Sequence, residues 1–290
     1  QSRVKVGNGC AGRAAQELRT ISGLDIGESS GIFVRSSLLA SEGFVSHYAT
    51  PLVVKGQIKG VLEVFHRKTL EPEHTWFSYF ETLATQAAIA IENTTLFENL
   101  QRSNTELTLA YDATIEGWSR AMELRDRETE GHTQRVADIT LELADKIGMS
   151  DAEKTDLRRG ALLHDIGKMG VPDEILHKPG PLSDDEWEIM RQHPTYAYQM
   201  LFPIKYLKHA LDIPYCHHEK WDGSGYPRGL QEEDIPLSAR VFGVVDVFDA
   251  LTSDRSYSKA WSHEEAYRYI QEQAGKHFDP QVVKIFLETK

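Results

Sequence analysis

An adjacent histidine and aspartate, His164 and Asp165, close the apolar run Ala161-Leu162-Leu163 and precede Ile166-Gly167-Lys168. Neighbouring side chains on a helix point about 100° apart, so this pair can grip two sides of one metal ion or reach two ions. A core histidine beside a capping aspartate is the structural alternative. Other residues weigh against it. Glu128 and His132 are four apart, and one helical face presents both. His193 closes an expected helix just before Pro194, and His217 and His218 are adjacent ahead of Glu219 and a glycine-rich loop. Asp246 lies in the apolar segment Val244-Val245-Asp246-Val247-Phe248. A buried carboxylate needs a cation or hydrogen-bond donors, so Asp246 implies either a metal or a buried Arg or Lys. Jointly, these five histidines and three carboxylates point to metal. Imidazole and carboxylate without thiolate suit iron and manganese as well as zinc. The other histidines, His47, His66, His74, His177, His209, His263 and His277, read as surface or helix-end residues.

The elements that must carry these residues are legible in part. Residues 1 to about 70 alternate short apolar strands with glycine-rich turns. A short helix is expected through Ala14, Ala15 and Leu18. Ser46 to Val54 reads as a strand, Lys55-Gly56 as a tight hairpin turn, and Ile58 to Phe65 as the return strand. A helix begins near Pro72 and meets no breaker until Gly117. Leu96, Leu100 and Leu107 follow a spacing of four and seven, which suits a stripe facing a partner helix. From about residue 105 the pattern is helical throughout. Ala113 to Arg125 and Gly131 to Ile147 are expected helices, the second closed by Gly148. Capping boxes begin at Ser150, Ser183 and Ser262, the first opening the helix that carries His164 and the second a helix running to His193. Pro236 starts a helix through Asp246 to Leu251. The expected fold is α+β overall: an N-terminal α/β domain with an antiparallel sheet, a long connecting helix, and a C-terminal all-α bundle with its site between helices.

Composition limits the partners. The 290 residues are 40% hydrophobic and 26% charged, in the range of globular proteins. A formal net charge of -12 argues against DNA or acidic membranes, and an anionic substrate needs local cations. No apolar run approaches the roughly 18 residues of a membrane helix. Cys10 and Cys216 read as reduced thiols, which suggests the cytoplasm. Gln1 in place of Met suggests that the sequence begins partway through a longer protein.

Two resemblances sharpen the reading. Residues 1–100 resemble the second half of a GAF sensor domain, through Gly7, Gly9 and Gly12, the Pro51-Leu52 strand, Gly60-Val61-Leu62-Glu63-Val64, and the helix from Leu83 to Asn93. That resemblance implies a small-molecule ligand for the N-terminal domain. Residues 101–290 carry His164-Asp165-Ile166-Gly167-Lys168 and His217-His218-Glu219-Lys220-Trp221-Asp222-Gly223-Ser224-Gly225-Tyr226-Pro227. These resemble the signature of the HD-GYP family, a branch of the HD phosphohydrolases that degrades cyclic di-GMP. The resemblance implies metal ligation by His132, His164, Asp165, His193, His217, His218 and Asp246. It implies a third metal through Glu128, so two or three divalent ions in all, with iron expected and manganese the alternative. It places Lys168 at the substrate phosphate and Arg255 near the substrate. Tyr226 would line the site. The chain departs from the family pattern at Ser258, where a basic residue is common and Lys259 follows, and at Ala197, where glycine is common.

The chemistry implied is phosphodiester hydrolysis. Asp165 would bridge two ions that acidify water, and Lys168 would stabilise the developing charge. The product would be the linear dinucleotide pGpG, and with a third metal GMP. Regulation would come from the N-terminal domain, and a homodimer from the connecting helix. Two alternatives stay open: a non-catalytic cyclic-dinucleotide sensing and docking module, and a hydrolase of a different cyclic dinucleotide.

Overall fold

The structure is a computed structural model and describes residues 4–24, 42–126, 131–254 and 259–288. Its described residues divide into two compact units, 1–107 and 108–290.

The N-terminal unit is built on one antiparallel sheet. Helix α1 (Gly9–Glu17) precedes β1 (Ile21–Leu24), β2 (Ser46–Val54) and β3 (Gln57–His66), which lie side by side in sequence order. The β2–β3 turn is Lys55-Gly56, both at positive φ (50° and 77°), the backbone that a two-residue hairpin with the native strand twist requires. Alternation along β2 then divides the burial between two faces. Ala49 packs with Cys10 and Ala14 of α1 on one face. Leu52, on the other, packs with Ala84 and Ala88 of helix α2 (His74–Asp126), and Tyr48 meets Trp76 and Phe77 there. His47 corrects the surface expectation. It is fully buried in β2, its ring stacked on Phe65 at 4.2 Å and its Nε2 2.9 Å from Glu63. Alternation places it on the α1 face, beside Ala49's cluster.

Helix α2 also corrects an expectation. The helix expected from near Pro72 to Gly117 and the one expected over Ala113 to Arg125 are one helix of 53 residues. An isolated glycine costs an exposed helix only about 1 kcal/mol, which the surrounding turns absorb.

The second unit is helical, with no strand among its described residues. Helix α3 (His132–Ile147) ends at Gly148. Helix α4 (Asp151–Leu162) starts from the Ser150–Glu153 capping box, with both reciprocal bonds formed. A 3-10 turn (Ile166–Gly170) follows, then α5 (Asp173–Leu176) and α6 (Asp184–Met190). Next come α7 (His193–Leu201), a 3-10 turn (Lys205–Ala210), α8 (Asp212–Cys216), a short 3-10 turn (Glu232–Asp234), α9 (Leu237–Thr252), α10 (His263–Glu272) and α11 (Pro280–Leu287). The boxes at Ser183 and Ser262 are also complete. Each such cap is worth about 1 kcal/mol and fixes where the chain enters its helix.

One apolar core joins these helices. Met122 of α2, Val136 and Leu143 of α3, Leu157 of α4, Phe242 and Val245 of α9, Ile270 of α10 and Phe286 of α11 are all buried in it. Burying each large side chain contributes about 1.5–3 kcal/mol. Helix α9 lies against α3, α8, α10 and α11, so it is the centre of the bundle. That placement explains its nearly continuous apolar sequence, and it leaves Asp246 half-buried.

Candidate metal centre

The bundle brings histidines from four separate stretches, and Asp246 from a fifth, to one place. His132 is the first residue of α3. His164 and Asp165 stand in the turn after α4 rather than on it, since that helix ends at Leu162. His193 does not close a helix, as its place before Pro194 suggests. It opens α7, with Pro194 in the first turn, where the missing N–H is no loss. His217 and His218 follow α8, and Asp246 projects from α9.

Close backbone packing sets the spacing. The 3-10 turn after Asp165 presses on α7 so tightly that a Cβ on Gly167 would lie 1.8 Å from the His193 carbonyl oxygen and 2.6 Å from the Ala197 nitrogen. Glycine at 167 thereby lets Asp165 and His193 meet. Ala197, fully buried in this contact, occupies the position where the resembled family commonly has glycine.

The ligand atoms fall into two groups. His193, His217 and His218 form one, and His132, His164 and Asp246 the other, with the atoms in each group within 4.8 Å of one another. Asp165 lies between them. Its Oδ2 is 3.1 Å from His164 Nε2, and its Oδ1 is 3.5 Å from His193 Nε2 and 3.9 Å from His217 Nε2. Asp246 Oδ1 is 3.5 Å from His132 Nε2.

The far side of each ring fixes which nitrogen faces the centre. The Nδ1–H of His164 donates to the Ala161 carbonyl at 2.8 Å, that of His193 to Met190 at 2.7 Å, and that of His217 to Ile213 at 3.0 Å. A carbonyl only accepts, so these rings carry their proton on Nδ1 and turn the Nε2 lone pair inward. His132 Nδ1 donates to Asp249 Oδ2 at 2.6 Å, and Arg135 Nε holds the other carboxylate oxygen at 3.1 Å. Four Nε2 lone pairs thus converge, each ring oriented by an outer acceptor as metal-ligating histidines require.

Electrostatics agree for every candidate ligand whose titration is shifted except His164. Burial, then the neighbouring His164 and His193, push the His217 imidazolium down to about 3. Burial also drives His218 well below the ordinary range and lowers His193. Burial alone would raise Asp165, but Lys168 and His164 outweigh it and hold the carboxyl well below the usual range. Burial opposes ionisation of Asp246 too, and the neighbouring His132 and His164 outweigh it and hold its carboxyl below the usual range. His164 goes the other way: burial lowers it, but Asp165 and Asp246 raise it further. Neutral imidazoles and ionised carboxylates are the protonation states that bind divalent cations. Cys216 is no ligand, because burial raises its thiol to about 12. The donor set therefore fits hard to borderline divalent ions.

A loop closes one side. Tyr226 stacks on His218 at 4.7 Å, and the Arg191 guanidinium stands 5.7 Å over the Tyr226 ring. Gly225 approaches the backbone so closely that a Cβ would sit 2.3 Å from the Lys220 nitrogen. Buried Glu219 pins the loop by accepting from the Arg228 and Leu230 amides at 2.7 and 3.0 Å. Lys168 lies against Asp165, its Nζ 2.7 Å from Oδ2. Glu128 and Arg255 fall outside the described residues.

Sequence reading missed Asp249, Asp126 and the structural use of Glu219. Asp249 had a faint signal: it is three residues from Asp246, hence on the same face of α9. Asp126 had none, because 42 residues separate it from Lys168, to which it is bonded.

A helical bundle with a buried, carboxylate-bridged pair of histidine clusters defines a domain built to hold divalent metal. The HD domain family matches residues 118–282, more than half of the chain, and the chain belongs to that family. It is 46% identical over 172 residues to a protein of Thermotoga maritima named cyclic di-GMP phosphodiesterase, covering 58% of this chain and 46% of that one. It is 41% identical over 202 residues to the 3'3'-cGAMP-specific phosphodiesterase 2 of Vibrio cholerae, covering 69% of this chain and 37% of the relative. The chain thus spans less than half the length of either relative.

Proposed function

We propose that this protein is a divalent-metal-dependent phosphodiesterase that opens cyclic di-GMP to the linear dinucleotide pGpG and carries it on to GMP. The observation that carries the reading is the convergence of the Nε2 atoms of His164, His193 and His217 on Asp165, with His132 and Asp246 grouped around His164. The relatives named for cyclic di-GMP support the substrate.

Divalent ions bound there would supply Lewis acidity and lower the pKa of water to about 7. The protein's residues have separate tasks. His132, His164 and Asp246 would hold one ion, and His193, His217 and His218 the other. Asp165 would touch both. Glu128 would serve a third. Iron is the proposed metal and manganese the alternative, as the resemblance to the HD-GYP family implies; nitrogen and oxygen donors without thiolate suit both, as they also suit zinc. Lys168 would face a non-bridging phosphate oxygen and offset the charge that develops on it. Tyr226 and Arg255 would line the substrate site. Tyr226 keeps its phenol protonated, since burial raises its pKa, so it can donate a hydrogen bond but not act as a base.

The test is metal analysis of protein purified without oxygen, together with product chromatography on cyclic di-GMP. Two or more ions per chain and formation of pGpG are expected. Asp165→Ala should lose both. Full metal content with no product from any cyclic dinucleotide would leave a binding module instead. A relative specific for 3'3'-cGAMP makes that dinucleotide the second substrate to assay.

We also infer a homodimer through α2, which leaves Leu96, Phe97, Leu100 and Leu107 at least half exposed. A second copy is the partner that would cover such a stripe. The boundaries proposed for the two domains are 1–100 and 101–290, with the first, GAF-like, domain taking a small ligand and regulating the second from the cytoplasm.

A further inference from the structure

The last two residues of α2 converge on Lys168. Arg125 Nη1 donates to the Lys168 carbonyl at 2.7 Å. Its Nη2 donates to the Val171 carbonyl at 2.7 Å and to Asp173 Oδ1 at 2.8 Å. These bonds fix the 3-10 turn that carries the lysine. Asp126 takes the ammonium itself, through a short bond from Nζ to Oδ2. The ammonium therefore stands between Asp126 and Asp165, with the three side chains only 10–15% exposed.

This arrangement solves a specific problem. A lysine side chain carries about 2 kcal/mol of rotamer freedom, so one carboxylate would hold the ammonium loosely. If that carboxylate were Asp165 alone, the ammonium would occupy the oxygens that must also ligate metal. A second carboxylate shares it, so that Asp165 is not the ammonium's sole counter-charge even though the two stand 2.7 Å apart. We propose that Asp126 is a positioning residue: it holds Lys168 beside Asp165 and takes a share of the ammonium, so that the lysine competes less for Asp165. The inference rests on the proposal above that Asp165 ligates metal and Lys168 faces the substrate phosphate.

The experiment is a double-mutant cycle in the full chain with Asp126→Asn, Lys168→Met and both together. Two quantities are read: Mn²⁺ affinity by chelator competition, and kcat/KM on cyclic di-GMP. Asp126→Asn alone should weaken Mn²⁺ binding about tenfold, the size of loss typical of an outer partner of a metal ligand. It should lower kcat/KM by at least as much. In the Lys168→Met background, which has no ammonium to misplace, the same change should alter either quantity by less than about twofold. Equal losses in both backgrounds would make Asp126 a merely structural residue and overturn the proposal. So would unchanged Mn²⁺ affinity in Asp126→Asn. Wild-type kcat/KM in Lys168→Met would sink the substrate-facing reading of Lys168, while the Mn²⁺ cycle still decides the case of Asp126. If asparagine prevents folding, Asp126→Ser, which also lacks the carboxylate, carries the same cycle with the same sign.

Discussion

Asp249 shows what a single residue outside the ligand set does. It accepts from His132 Nδ1 and from Arg135, and so fixes both the tautomer and the ring plane of His132. Asp249→Asn keeps the shape but replaces one anionic acceptor with an amide that can turn an N–H toward Nδ1. The ring could then be held with its proton on Nε2, the atom that faces Asp246. We expect metal affinity to fall about 10- to 100-fold, with an unchanged far-ultraviolet spectrum. Metal retained after graded chelation checks this, and wild-type retention would show that His132 needs no outer partner. The candidate ligands were legible from sequence because each is a histidine or aspartate in a telling place: in an apolar run, beside another histidine or aspartate, before proline, or, for His132, four residues from Glu128. Asp249 and Asp126 were not legible. Both are ordinary charged residues whose partners lie 117 and 42 positions away, and only the fold makes them neighbours.

The elements owe their legibility to local rules. The three capping boxes, the Lys55-Gly56 turn and the Gly148 stop are each decided within a few residues, and the chain obeys them. Expectations failed where tertiary packing overrode local signals. Gly117 did not break α2, and the stretch around His164 and Asp165 left the helix early. In the second case the turn packs backbone to backbone on α7 through Gly167. Gly167→Ala forces a Cβ into a carbonyl oxygen that belongs to His193 itself. We expect it to cost more than the 1–3 kcal/mol of ordinary overpacking and to separate His193 from Asp165. Ser150→Ala is the matched control: about 1 kcal/mol lost at the cap of α4, with metal content intact. Thermal melts and metal analysis of the two variants distinguish them. Equal metal content in both would mean that the His193–Asp165 spacing does not depend on this contact.

At the scale of the molecule, the buried imidazoles make stability depend on pH, and the sign follows from proton counting. His277 is pushed down to about 4, by burial and then by Lys220, with Asp222 and Asp246 opposing. It lines a small cavity with His217, Glu219, Trp221, Arg240 and Asp279, where Arg240 and Asp279 are already paired at 2.6 Å. Between pH 6.5 and 4 the unfolded chain carries a proton on His277 that the folded chain lacks. Its stabilising contribution is therefore complete above pH 6.5 and is lost as the pH falls through that window. His217, His193 and His218 act with the same sign, and His164, raised rather than lowered, acts against them. Metal-free protein should therefore lose stability on acidification below pH 6.5. Each excess proton on the unfolded chain steepens the slope by about 1.4 kcal/mol per pH unit. His277→Gln cannot take up that proton, so its unfolding free energy should fall less steeply than that of the wild type between pH 6.5 and 5. Urea unfolding of both metal-free proteins at several pH values measures the two slopes. Parallel slopes would show that His277 titrates in the fold as it does in the unfolded chain, and that the acid sensitivity lies wholly in the histidines of the centre.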